Sequence, residues 1–108
     1  MQNRNIKKPS YPLKEIKRLI REEPVIINED AQNDAYYDFK WKPEDIKKCI
    51  LKFNDKYHFW KTEKHGKYPG VMMDYYKAYN IMDGFNVYTH FYISPQTGFL
   101  TISSFKEI

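Results

Sequence analysis

The run Phe85–Ser94 sets a phenol, an imidazole and a second phenol at every other position: Tyr88, His90 and Tyr92. Read as a strand, neighbouring side chains alternate faces. Asn86, Tyr88, His90 and Tyr92 then share one face, and Phe85, Val87, Thr89, Phe91 and Ile93 the other. The apolar row is fit to bury against helices. The polar row can stack, hydrogen-bond and, through the imidazole, exchange a proton near neutral pH. A second concentration lies upstream, where Lys56–Lys67 holds four lysines, two histidines and the pair Phe59-Trp60. Interleaved cations and rings suit a single-stranded nucleic acid, whose phosphates meet the charge and whose bases stack. Lys56, His58, Trp60 and Lys64 are RNA-binding candidates for that reason, joined by Tyr92. The same two patterns also describe the solvated outer face of an antiparallel sheet and a charged hairpin.

RNA carries its own nucleophile, the 2′-hydroxyl. Cutting it without a metal needs a base to take that proton, a cation to stabilise the phosphorane and an acid for the 5′-oxygen. His, Lys and Tyr can fill these roles. Other chemistries lack their residues. One cysteine excludes a Cys-rich zinc site, and His58, His65 and His90 lie at no standard ligand spacing. There is no phosphate-binding Walker loop and no Gly-x-Ser-x-Gly elbow. The expectation is therefore no metal and no cofactor. Cys49 falls on an apolar helical stripe with Ile46, Ile50 and Phe53, which marks it as a core residue.

The chain has 108 residues, the size of one domain, and a net charge of +4. That balance permits nucleic-acid binding without requiring it. Aromatics make up 18% of the chain, ten of them Tyr, which offers both stacking surface and hydroxyl donors. The lone cysteine fits a reducing compartment. There is no apolar run of membrane-spanning length, and no apolar h-region follows Met1. The expected location is the cytoplasm.

The elements that must position these residues are legible in outline. Residues 1–9 read as a basic, flexible tail and 10–108 as the folded domain. Ser10 and Pro12 open a helix with the stripe Leu13, Ile16, Leu19 and Ile20, which Pro24 ends. Val25–Ile27 is a brief strand or link. Asn28 caps a short helix over roughly 29–36, and Pro43, Glu44 and Asp45 open a third that runs through Phe53. Beyond Asn54 the runs Val71–Tyr79, Phe85–Ser94 and Phe99–Glu107 are strands of a meander. Tyr57–Glu63 is a further strand or its lead-in. Helices first and a sheet after them is the α+β pattern.

Several short motifs occur in a recognisable order. The ending Ser104-Phe105-Lys106-Glu107, the strand start Asn86-Val87-Tyr88, the trio Phe59-Trp60-Lys61 and the run Met72-Met73-Asp74-Tyr75-Tyr76-Lys77 are the clearest. With the helix over Leu13–Ile20 and Asp38-Phe39, they resemble the MqsR (motility quorum-sensing regulator) family of bacterial toxins over about residues 10–107. The resemblance implies a RelE-like fold, with N-terminal helices packed on one face of a small antiparallel sheet. It implies the toxin of a type II toxin–antitoxin system, a sequence-specific endoribonuclease that cuts mRNA without the ribosome and is neutralised by an antitoxin encoded nearby. It implies Lys61, Tyr88 and Lys106 as catalytic positions; Lys77 is a further RNA-binding candidate. Three differences from the family stand out, one of them the last hairpin, whose Ser94–Gly98 is longer than the family's tight turn. Met73 replaces a functional Gln of the family, and Met neither donates a hydrogen bond nor transfers a proton. His90 stands where the family has Lys, so an imidazole is expected to act there as acid or base.

Lys106 raises a difficulty of parity. It alternates in step with Leu100 and Ile102, which read as core. It can meet Tyr88 only if a bulge or strand end intervenes. The rivals to a nuclease are a non-catalytic RNA- or protein-binding sheet, a ribosome-dependent nuclease, and a DNA-binding regulator using the helix 44–53.

Overall fold

The computed structural model describes residues 8–108. The tail expected over 1–9 lies outside them, apart from Lys8 and Pro9. Helix α1 (Leu13–Glu22) buries Leu13, Ile16, Leu19 and Ile20, the expected stripe. Its start differs from expectation. Pro12, not Ser10, is the cap residue, and its carbonyl accepts the Glu15 and Ile16 N–H groups at 2.9 and 3.1 Å. Ser10 is drawn instead to the sheet, where its N–H donates to Asp74 and its hydroxyl meets that of Thr62.

After Pro24 the chain forms β1 (Ile26–Ile27), then α2 (Glu29–Phe39). Weak helix formers predict an end near residue 36, but α2 continues to Phe39. Packing decides this, because Ala31, Ala35 and Phe39 recur every fourth residue and are buried. The Phe39 ring lies 4.5 Å from Trp41, 5.0 Å from Phe85 and 6.0 Å from Phe105. Lys40, at φ 66°, closes the helix in a left-handed turn. Helix α3 (Pro43–Ile50) begins as expected, with the Asp45 carboxylate accepting the Lys42 N–H at 3.0 Å. It stops three residues short of Phe53, which is buried all the same and stacks on Tyr76 at 5.2 Å. A single turn, α4 (Asp55–His58), leads into the strands.

The strands are β2 (Phe59–Lys64), β3 (Met72–Met82), β4 (Phe85–Ile93) and β5 (Leu100–Glu107). They lie in the order β1-β5-β4-β3-β2. Neighbours among β2 to β5 are antiparallel. The expected all-antiparallel sheet is nonetheless corrected: β1 pairs in parallel with β5 through Ile26–Thr101 and Ile27–Ile102, so the sheet is mixed. A parallel pair needs a crossover of some length, and the chain from α2 to β4 supplies it.

The helices cover one face of this α+β sheet. Tyr76, Ala78, Val87, Phe91, Leu100, Ile102 and Phe105 point into that core with Ile16, Ile46, Cys49 and Ile50. Burial pushes the Cys49 thiol up to about 12, in keeping with a packing role. The other face is open except at one end, where Val71, Met73 and Tyr92 form a small second cluster. Met73 is thus a packing residue. No helix among the described residues is long and apolar enough to cross a membrane.

Candidate active face on the open side of the sheet

The open face is a grid. Across it run two rows set by strand register: Lys61, Tyr75, His90 and Ser104, and beside them Lys77, Tyr88 and Lys106. Simple alternation does not produce these rows. Phe59 and Lys61 have the same parity, yet Phe59 packs into the core beside Tyr76. A register shift between Phe59 and Lys61 inserts Trp60 as an extra residue and turns both Trp60 and Lys61 outward. A second shift at the other side of the grid does the same for Lys106. Phe91 pairs with Ile102 but His90 with Ser104, leaving Ser103 as the extra residue. Ile102 and Phe105 are therefore both buried, and Lys106 stands opposite Tyr88. A bulge of this kind re-aims side chains locally.

Aromatic contacts fix the side chains. The Tyr88 hydroxyl lies 2.8 Å from His90 Nδ1. The Tyr75 ring packs tilted against the His90 ring, 4.6 Å away. Trp60 stands edge-on to Tyr75 and Tyr88, at 6.1 and 6.3 Å. Lys77 Nζ sits 3.7 Å from the Trp60 ring centre, Lys61 Nζ 4.4 Å from it, and Lys106 Nζ 5.6 Å from that of Tyr88. Three cations thus rest on the aromatic cluster that holds the phenol–imidazole pair, two over Trp60 and one over Tyr88 itself. Glu63 is the acid at this site, paired with Lys61 at 2.9 Å.

The electrostatics divide the pair. Burial, with the nearby Lys106, His65 and Lys61, holds the His90 imidazole below its ordinary 6.5. Burial, then Tyr75 and Glu63, raises the Tyr88 phenol above its ordinary 10.0. At neutral pH His90 is therefore an uncharged imidazole and Tyr88 an intact phenol. No hydrogen bond from another described residue occupies His90 Nε2. Among the described residues no three His, Cys, Asp or Glu side chains gather where they could hold a metal.

The catalytic candidates Lys61, Tyr88, His90 and Lys106 are brought to one face, with Trp60 and Lys77 among them. Tyr92 shares the face but lies at its covered end, 4.7 Å from the His65 ring. Lys56, His58 and Lys64 are not brought there. His58 Nδ1 accepts the Asn54 N–H at 2.9 Å and its ring lies 5.8 Å from Phe53. Burial and Lys17 lower its pKa. Lys56 lies over Tyr57 on α4, and Lys64 pairs with Met72 at the far end of β2. Tyr75 and Glu63 also stand on this face, and alternation is the signal for both: Tyr75 precedes Lys77 by two residues in β3, and Glu63 follows Lys61 by two in β2.

No family model and no curated protein matches the chain.

Proposed function

We propose that the chain is an endoribonuclease that cleaves single-stranded mRNA by metal-independent transesterification on the open sheet face. The observation that carries the reading is the 2.8 Å contact between Tyr88 and His90, set among Lys61, Lys77 and Lys106. His90 donates Nδ1–H to the Tyr88 oxygen, and its Nε2 takes the proton of the 2′-hydroxyl. The 2′-oxygen forms a bond to phosphorus, and the bond from phosphorus to the 5′-oxygen breaks. The Tyr88 hydroxyl protonates the departing 5′-oxygen, leaving a 2′,3′-cyclic phosphate and a 5′-hydroxyl. The imidazolium then loses its Nε2 proton to water and the Tyr88 phenolate takes one from water, restoring both groups for the next cycle. The lysines bind phosphate and stabilise its transition-state charge, with phosphate displacing Glu63 from Lys61.

The arrangement of helices against one sheet face, together with the family resemblance, supports a RelE-like toxin of a type II toxin–antitoxin pair. A free nuclease would arrest growth, so a cognate antitoxin is its expected partner. The direct test is incubation of the purified protein with naked RNA in excess EDTA, followed by end analysis. Cutting to cyclic-phosphate and 5′-hydroxyl ends is expected. Binding without cutting would make it a non-catalytic module, a need for translating ribosomes would make it a ribosome-dependent nuclease, and 5′-phosphate ends would exclude the mechanism.

Two further outcomes follow from the same face. A base must be neutral, and the His90 pKa is depressed, so activity should persist below pH 6.5 and fall only in more acid solution. The check is a pH profile of kcat/KM, and an acid limb centred above 6.5 would contradict it. Second, three lysines that meet phosphates should make log affinity for single-stranded RNA fall with log salt at a slope of about −2, near −0.7 per phosphate. Replacing any one of Lys61, Lys77 or Lys106 by Gln should reduce that slope by about 0.7. Salt titrations of a fluorescent oligonucleotide measure both, and unchanged slopes would remove these lysines from the contact.

A further inference from the structure

The loop between β4 and β5 is longer than a tight hairpin turn and is heavily cross-linked by its own hydrogen bonds. The Ser94 carbonyl accepts the Gly98 N–H at 2.7 Å, and the Ser94 N–H donates to the Phe99 carbonyl at 3.0 Å. The Ser94 hydroxyl accepts the Gln96 and Thr97 N–H groups at 3.2 and 3.4 Å, and the Thr97 hydroxyl accepts from Phe99 at 3.1 Å. Gly98, at φ 76°, allows the chain to return. Such a loop keeps one shape and presents Pro95 and Gln96 outward.

Facing it is the β2–β3 loop, which is pinned in the same manner. His65 Nδ1 accepts the Lys67 and Tyr68 N–H groups at 3.0 and 3.3 Å, and the His65 backbone N–H donates to the Val71 carbonyl at 2.7 Å. Between the two loops lies a small, open notch of about 40 Å³ lined by Tyr68, Tyr92, Ser94, Pro95 and Gln96. The Tyr68 and Tyr92 rings stand 6.3 Å apart. The Gln96 carboxamide forms no hydrogen bond with another described residue. Tyr92 follows His90 by two residues on the same strand face, so the notch begins about 7 Å from the imidazole.

We propose that this notch is a nucleobase subsite and that Gln96 reads the base seated in it. The inference rests on the nuclease reading of the neighbouring face. A base extruded from single-stranded RNA stacks against tyrosine rings and is identified by hydrogen bonds on its edge. A carboxamide offers a donor and an acceptor side by side, which is the pattern needed to tell one base edge from another. The adjoining position of the notch assigns it the base of a nucleotide next to the scissile phosphate. Sequence preference would then come from a loop outside the proton-transfer pair.

The test uses the full chain and short RNAs that carry 2′-deoxyribose at the cleavage position, so that they bind without being cut. Four strands differing at one base flanking that position are titrated against the wild type and Gln96→Ala. The wild type is expected to prefer one base by about fivefold or more, and Gln96→Ala to bind all four within about twofold. Gln96 is exposed, so the variant should fold, and an unchanged melting temperature checks this. Equal binding of all four bases by the wild type, or a preference that Gln96→Ala leaves in place, would overturn the subsite. All-ribose versions of the same strands separate the two claims. A Gln96-dependent preference without cutting keeps the subsite and sinks the nuclease. Cutting with a preference independent of Gln96 does the reverse.

Discussion

His90→Ala is expected to lower RNA cleavage by about 10²–10⁴-fold, the usual contribution of one acid–base group. RNA affinity should change little, because Lys61, Lys77 and Lys106 remain in place. The fold should survive as well, since His90 lies on the open face and its main neighbours are Tyr75 and Tyr88. Two measurements separate proton transfer from mere positioning. Added imidazole should partly restore cleavage by His90→Ala, because a small diffusible base can enter the space left behind. Tyr88→Phe should also be impaired, and the double variant should be little worse than the poorer single one. Groups that act as a unit are not additive. Full activity in His90→Ala, or additive losses without imidazole rescue, would remove the pair from the mechanism.

The largest expected effect on stability lies on the opposite face, at Asp74. Its carboxylate is fully buried and accepts the Ser10 N–H at 3.0 Å and the Tyr11 N–H at 2.9 Å. These bonds fasten the segment entering α1 to β3. The Ser10–Thr62 hydroxyl contact and the Tyr11 hydroxyl bond to the Met72 carbonyl, both near 2.8 Å, reinforce it. No lysine or arginine among the described residues pairs with Asp74, so backbone amides alone compensate its charge. Hydrogen bonds to a charged group contribute about 1.5–3 kcal/mol each, and removal of the carboxylate also relieves part of its desolvation. Asp74→Ala is therefore expected to lose about 2–3 kcal/mol, measured by urea denaturation. Hydrogen exchange should show the Ser10 and Tyr11 amides losing protection first. Asp74→Asn, which keeps one acceptor oxygen, should fall between. A variant as stable as the wild type would mean that the clamp is not a stabilising feature.

Much of the positioning scaffold is written locally in the chain. The stripe Leu13, Ile16, Leu19 and Ile20 determines which side of α1 is buried, because helical spacing is a property of the chain itself. The sequence Asp83-Gly84 marks the β3–β4 turn, and both residues adopt positive φ there, 54° and 80°. Alternation in β4 places Phe85, Val87 and Phe91 inward and sets Tyr88 beside His90. For the same reason the 2.8 Å contact between them could be anticipated as a shared face, though not as a hydrogen bond.

The lysines are a different matter. By alternation alone Lys61 would follow Phe59 into the core, and Lys106 would follow Ile102. Each is turned outward by one extra residue, Trp60 in β2 and Ser103 in β5. A bulge is chosen by the neighbouring strand and by which large rings must be buried, here Phe59 against Tyr76 and Phe105 against Phe39 and Trp41. Those partners are distant in sequence, as are Ala31, Ala35 and Phe39 from the sheet residues that hold α2 in a longer helix than its composition favours. The sequence by itself determined the α+β order and the phenol–imidazole row along β4. Only the tertiary structure decided that Lys61, Lys77 and Lys106 surround that row, because side-chain alternation is local whereas strand register depends on the core that forms beneath it.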